Sequence, residues 1–61
     1  MKRYEIELNI KGASETVQTA STLANALEYF NHYLKHKPEG TTFTLLEVEY
    51  EVTHASILLE G

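Results

Sequence analysis

The fold is decided by one stretch of sequence, Leu46-Glu47-Val48-Glu49-Tyr50-Glu51-Val52. Apolar and acidic residues alternate there without a break, which is the two-residue period of a β-strand. The pattern predicts that this strand has one apolar and one acidic face. A second alternation begins near the start of the chain, where Tyr4, Ile6, Leu8 and Ile10 are separated by polar residues. We therefore expect a sheet with one apolar and one acidic face.

Between these two strands the sequence predicts a short return strand and a helix. Gly12–Glu15 is expected to form a turn, and Thr16–Ala20 is expected to return as an edge strand with few apolar residues. Ser21 or Thr22 is expected to cap a helix that runs to about His36. Four large apolar residues recur on the helix at spacings of four, three and four, which predicts a buried stripe: Leu23, Leu27, Phe30 and Leu34.

After the helix, the apolar alternation changes phase between two adjacent residues, Leu45 and Leu46. Three interpretations are open: a β-bulge that turns both residues toward the helix, a strand with an apolar face against the helix and another against a second subunit, or a short loop that resets the register. A turn at Val52–Ala55 and a last strand at 56–59 complete the chain. The expected fold is α+β: a two-layer ββαββ domain, with one helix packed on a small antiparallel sheet.

Length and composition limit the function. The chain has 61 residues, no cysteine and a formal net charge of −4. A domain this small buries little surface by itself, and because disulfides are excluded we expect a homodimer. Few clustered basic residues make a nucleic-acid partner unlikely, and no apolar run is long enough for a membrane span. The absence of cysteine is typical of the reducing cytosol, so we expect a cytoplasmic protein.

Two groups of side chains are candidate sites. The first is an acidic face for a basic protein partner, formed by Glu5, Glu7, Glu47, Glu49 and Glu51. The second is a ligand or partner surface on the helix and just after it, formed by Tyr29, His32, Tyr33, Lys35, His36 and Lys37. The ordinary alternative for both groups is a solvated polar surface, because charged side chains usually keep small domains soluble.

No phosphate-binding loop, nucleophile motif or metal-binding motif occurs in the sequence, so we expect neither a cofactor nor a metal, and no enzymatic activity. The expected function is a small interaction protein that binds and inhibits a larger macromolecule. Its composition resembles that of inhibitors made by phages and mobile genetic elements. The alternative is a small-ligand-binding protein that holds an anionic metabolite at the subunit interface, near Lys35, His36 and Lys37.

Overall fold

The computed structural model describes residues 2–49 and 54–61, and there one helix packs on a four-stranded antiparallel sheet. The expected α+β fold with a helix on an antiparallel sheet is confirmed. The strands lie in the order β2-β1-β3-β4 across the sheet. The elements, in chain order, are β1 (Lys2–Ile10), β2 (Ala13–Ala20), α1 (Leu23–Lys35), β3 (Thr41–Glu49) and β4 (His54–Glu60).

The first two strands form a hairpin with a two-residue loop. Ile10 pairs with Ala13, and both loop residues have positive φ angles, 47° at Lys11 and 85° at Gly12. This combination is that of a type I′ turn, whose twist matches that of the flanking strands. The expected turn at Gly12–Glu15 is therefore wrong at its end, because Ala13 already belongs to β2. The prediction that β2 is an edge strand is confirmed.

The helix begins and ends where capping predicts. Thr22 is the N-cap, and its hydroxyl accepts a hydrogen bond of 3.3 Å from the backbone N–H of Asn25. At the other end the N–H of His36 donates to the carbonyl of Tyr33 at 3.2 Å. The helix stops at Lys35, one residue before the expected limit.

The core lies between the helix and β1 and β3. It consists of five buried side chains: Ile6, Ala26, Phe30, Phe43 and Leu45. Leu27 and Leu34 are partly buried against this cluster, whereas Leu23 is 43% exposed, so the predicted stripe is wrong at its first member. Ala26, which is 1% exposed, belongs to the buried cluster instead.

The phase change in β3 has a simple geometric explanation. β3 is continuous through Leu45 and Leu46, and its register with β1 is regular there, with Ile6 opposite Leu45 and Glu5 opposite Leu46. Adjacent residues of a regular strand point to opposite faces. Leu45 is therefore fully buried under the helix, while Leu46 lies on the other face of the sheet.

Of the three interpretations, the bulge that turns both leucines toward the helix and the loop are therefore wrong. β3 is apolar on both faces, and the contact with a second subunit stays a prediction. The register shift at this level lies between β3 and β4, where Leu45 pairs with Leu59 and Leu46 pairs with Ile57. The extra residue is on β4. The expected turn at Val52–Ala55 is wrong at its end, because residues 54 and 55 belong to β4; Val52 and Thr53 lie outside the described residues.

Candidate binding surface

The glutamates expected to form one acidic face lie on both sides of the sheet. Residues directly opposite each other in an antiparallel pair share a face. Glu5 lies opposite Leu46, whereas Glu47 lies opposite Tyr4, a residue that packs against the core under the helix. The β1–β3 register therefore places Glu5 and Glu47 on opposite sides of the sheet.

The single acidic face is consequently wrong as a geometric prediction. Glu5 and Glu7 share the face opposite the helix, which we call the open face. Glu47 and Glu49 share the helix side of the sheet. Glu51 lies outside the described residues.

The open face has a polar half and an apolar half. The polar half is formed by side chains of β1 and β2: Arg3, Glu5, Glu7, Asn9, Ser14, Thr16 and Thr19. The apolar half, which we call the β3–β4 patch, is formed by Leu46, Val48, Ala55 and Ile57. Both halves follow from the register, since each residue points to the same side as its cross-strand partner.

Hydrogen bonds and an ion pair order the polar half. The amide nitrogen of Asn9 donates to the hydroxyl of Thr44 at 2.9 Å, and the hydroxyl of Ser14 donates to the Asn9 amide oxygen at 2.7 Å. Arg3 Nη2 lies 2.7 Å from Glu5 Oε2. Three strands are thus linked through their side chains, which gives this half a fixed shape.

An ion pair also forms on the helix side of the sheet. Lys2 Nζ lies 3.1 Å from Glu47 Oε1. The hydrogen bond to Glu47, followed by the negative charges of Glu47 and Glu49, raises the pKa of Lys2 above its usual value of 10.5. Each side of the sheet therefore carries one glutamate that is paired with a basic residue of β1.

The β3–β4 patch agrees with the interpretation that β3 is apolar on both faces, but the sequence did not predict that Ala55 and Ile57 of β4 complete it. Ile57 is 63% exposed, Ala55 is exposed, and Leu46 and Val48 are half-buried only by their neighbours in the sheet. Within the described part of the chain, the helix contacts β1, β2 and β3 but not β4. The phase change at Leu45 and Leu46 was the signal, because it places apolar residues on both faces of β3.

The second candidate surface, on the helix, is mostly exposed as expected. Five of its six residues are exposed: Tyr29, His32, Lys35, His36 and Lys37. The rings of His32 and His36 lie side by side with centroids 4.9 Å apart. Tyr33 is different, because its ring is half-buried 5.1 Å from that of Phe43 and its hydroxyl donates to the Val17 carbonyl at 3.4 Å. Tyr33 therefore belongs to the rim of the core.

Two shallow surface depressions occur elsewhere, with volumes of about 200 and 220 Å³. The first lies at the β1–β2 hairpin and is lined by Leu8, Ile10, Ala13, Ser14 and Glu15. The second lies at the end of β2 before the helix and is lined by Arg3, Thr19, Ala20 and Ser21. Neither depression includes the basic residues that the alternative ligand site requires.

The comparisons with other proteins identify no relative: the chain matches no protein-family model, no curated protein and no solved structure. Across residues 2–49 and 54–61, no three histidine or acidic side chains are placed to hold a metal ion together. No helix in the same residues has the length and hydropathy needed to cross a bilayer.

Proposed function

We propose that this chain is a small non-enzymatic interaction protein, a homodimer that binds a larger protein and inhibits it by covering part of its surface. The observation that carries this proposal is the uncovered face of the sheet. Helix α1 lies on the opposite side, so the polar half of the open face presents charged and hydroxyl side chains directly to a partner.

The polar half of the open face supports a basic partner. Glu5 and Glu7 lie two residues apart on the same side of β1. The chain as a whole carries a net charge of −4 and has no Lys or Arg after Lys37. Complementary charge accelerates the encounter of two proteins and disfavours partners of the same sign.

The dimensions of the molecule suit inhibition by covering a surface. Its principal extents are 35, 24 and 15 Å, so it is a flat slab with one broad sheet face. The whole face covers roughly 800 Å², about one side of a standard protein–protein interface, and its polar half covers about half of that area.

The two sides of the sheet supply a matched pair of variants. Glu5→Gln with Glu7→Gln removes two charges from the open face, and Glu47→Gln with Glu49→Gln removes two from the helix side. In each pair one glutamate is ion-paired with a basic residue of β1. The variants therefore differ in position but not in net charge.

The experiment is affinity capture from an extract of the cells that produce the protein, followed by kinetic measurement on the retained partner. We expect the open-face variant to bind at least about tenfold more slowly and with a weaker dependence on salt, since charge mainly governs association. The helix-side variant should bind almost as well as the wild type. Addition of wild-type protein should also lower the activity of the partner.

Three results would contradict the proposal. Equal losses in the two variants would mean that net charge, and not the open face, governs binding. A larger loss in the helix-side variant would move the interface to the other side of the sheet. Saturating binding that leaves the partner fully active would refute inhibition.

A further inference from the structure

We propose that the β3–β4 patch is the contact between two copies of this chain, packed face to face across a two-fold axis. This inference names the contact surface of the homodimer, and it rests on that part of the proposed function. It leaves the polar half of each open face available to the larger partner.

Strand β3 carries apolar residues on both faces. Leu45 is fully buried under the helix, and Leu46 and Val48 lie on the opposite face, where no element of the described chain covers them. Apolar residues on both faces are typical of a strand that is covered on both faces. A second layer over Leu46 and Val48 completes this arrangement.

Among the described residues, the large apolar side chain with the highest exposed fraction lies in the same patch. Ile57 sits opposite Leu46 in the β3–β4 pairing and is 63% exposed, more than Leu23 or Tyr29 on the helix. Apolar side chains that are grouped on one exposed area mark an interaction surface more strongly than scattered ones do. The patch is such a group.

Within the proposed homodimer, the charge distribution favours the apolar half of the open face for the contact between copies. A two-fold axis packs the same patch of both copies together, so a patch with a net charge would face the same charge. Leu46, Val48, Ala55 and Ile57 carry no charge, although the chain has a net charge of −4. The polar half is less suitable, because the carboxylates of Glu5 and Glu7 outnumber the guanidinium of Arg3 and give it a net negative charge.

The area that the contact can bury indicates how tightly the two copies should bind. The chain exposes 4359 Å², roughly a tenth more than the about 4,000 Å² of a typical folded chain of this mass. Half of the open face amounts to roughly 400 Å² per copy, or about 800 Å² in total, which is below the roughly 1,200 Å² of stable specific interfaces and implies a weak association. We therefore expect a dimer with a dissociation constant in the micromolar range.

The test compares two lysine substitutions on the same face of the sheet. Ile57→Lys adds a charge within the patch, and Thr16→Lys adds the same charge at an exposed position of β2 outside it. Sedimentation equilibrium is recorded from about 10 μM to 1 mM, a range that brackets a micromolar dissociation constant. Circular dichroism verifies that both variants remain folded.

We expect the wild type and Thr16→Lys to form dimers with similar constants, and Ile57→Lys to dimerise at least about tenfold more weakly, because each dimer brings two lysines together. A wild type that stays monomeric throughout would overturn both the homodimer and this inference. A dimer that Ile57→Lys leaves unchanged would overturn this inference alone.

If Ile57→Lys does not fold, a second measurement locates the contact between copies in the wild type. Isotope-filtered nuclear Overhauser spectra of mixed labelled and unlabelled wild type report contacts between copies only. We expect such contacts at the methyl groups of Leu46 and Val48. Contacts confined to the helix, or to the backbone of β4 as in edge-to-edge pairing, would overturn the proposal.

Discussion

Leu45→Ala and Leu46→Ala test the two faces of β3 with the same substitution at neighbouring positions. The Leu45 side chain is completely buried between the sheet and the helix. Truncation of such a leucine costs about 2–5 kcal/mol, because the transfer free energy is lost and a cavity remains. Leu46 is half-buried and no described element lies above it, so its truncation should cost only about 1 kcal/mol of unfolding free energy.

The size of the domain makes this difference easy to measure. At about 0.05–0.15 kcal/mol per residue, the whole chain has roughly 3–9 kcal/mol of stability, so Leu45→Ala removes a large share of it. Urea denaturation followed by circular dichroism gives both free energies of unfolding by linear extrapolation. The protein is kept dilute, because dimerisation through the patch would add to the cost of Leu46→Ala.

Two results would contradict the assignment of Leu45 and Leu46 to opposite faces. Equal losses for Leu45→Ala and Leu46→Ala would mean that both side chains are buried in the same layer. A larger loss of stability for Leu46→Ala in dilute protein would mean that Leu46, and not Leu45, faces the helix. Either outcome would remove the basis for the β3–β4 patch.

Three further changes test local features of the fold and its electrostatics. Thr22→Ala removes the side chain that caps the helix and should lower the free energy of unfolding by about 1 kcal/mol in urea denaturation, with Thr22→Ser as the control. Gly12→Ala should cost about 1–2 kcal/mol in the same assay, because φ is +85° there although nothing lies within 4 Å of the added methyl group. Glu47→Gln should bring the pKa of Lys2 back toward 10.5 in a nuclear magnetic resonance titration, whereas Glu5→Gln should leave it raised. An unchanged pKa of Lys2 in Glu47→Gln would contradict this assignment. Because the pKa of Lys2 is raised in the folded state, the stabilisation from the Lys2–Glu47 pair is present below pH 10.5 and is lost as the pH rises through the folded pKa.

Much of the fold could be predicted from local patterns. The strand alternation, the cap at Thr22 and the helix end near His36 each depend on a few neighbouring residues, and the structure places the strands and the helix close to the expected bounds. The sequence pattern puts the hairpin turn too late, because Gly12 is the residue that signals it. Lys11 precedes it with a positive φ, which is uncommon for lysine.

The candidate site could not be predicted in the same way. Alternation shows which residues of one strand share a face, but the register between strands decides which faces coincide. Glu5 and Glu47 each lie on the polar side of their own pattern, and only the pairing of Glu5 with Leu46 shows that they point in opposite directions. The phase change at Leu45 contained this information, but several local structures could have produced it.

The most direct test of the open face as the binding surface is methyl broadening by a soluble gadolinium chelate in nuclear magnetic resonance spectra. Spectra are compared at a protein concentration where sedimentation reports monomer and at one where it reports dimer. We expect Leu45 to be protected in both, and Leu46, Val48 and Ile57 to be broadened in the monomer and protected in the dimer. Leu23, exposed on the helix, should stay broadened throughout. Protection that appears at Leu23 while Leu46, Val48 and Ile57 remain broadened would contradict the account.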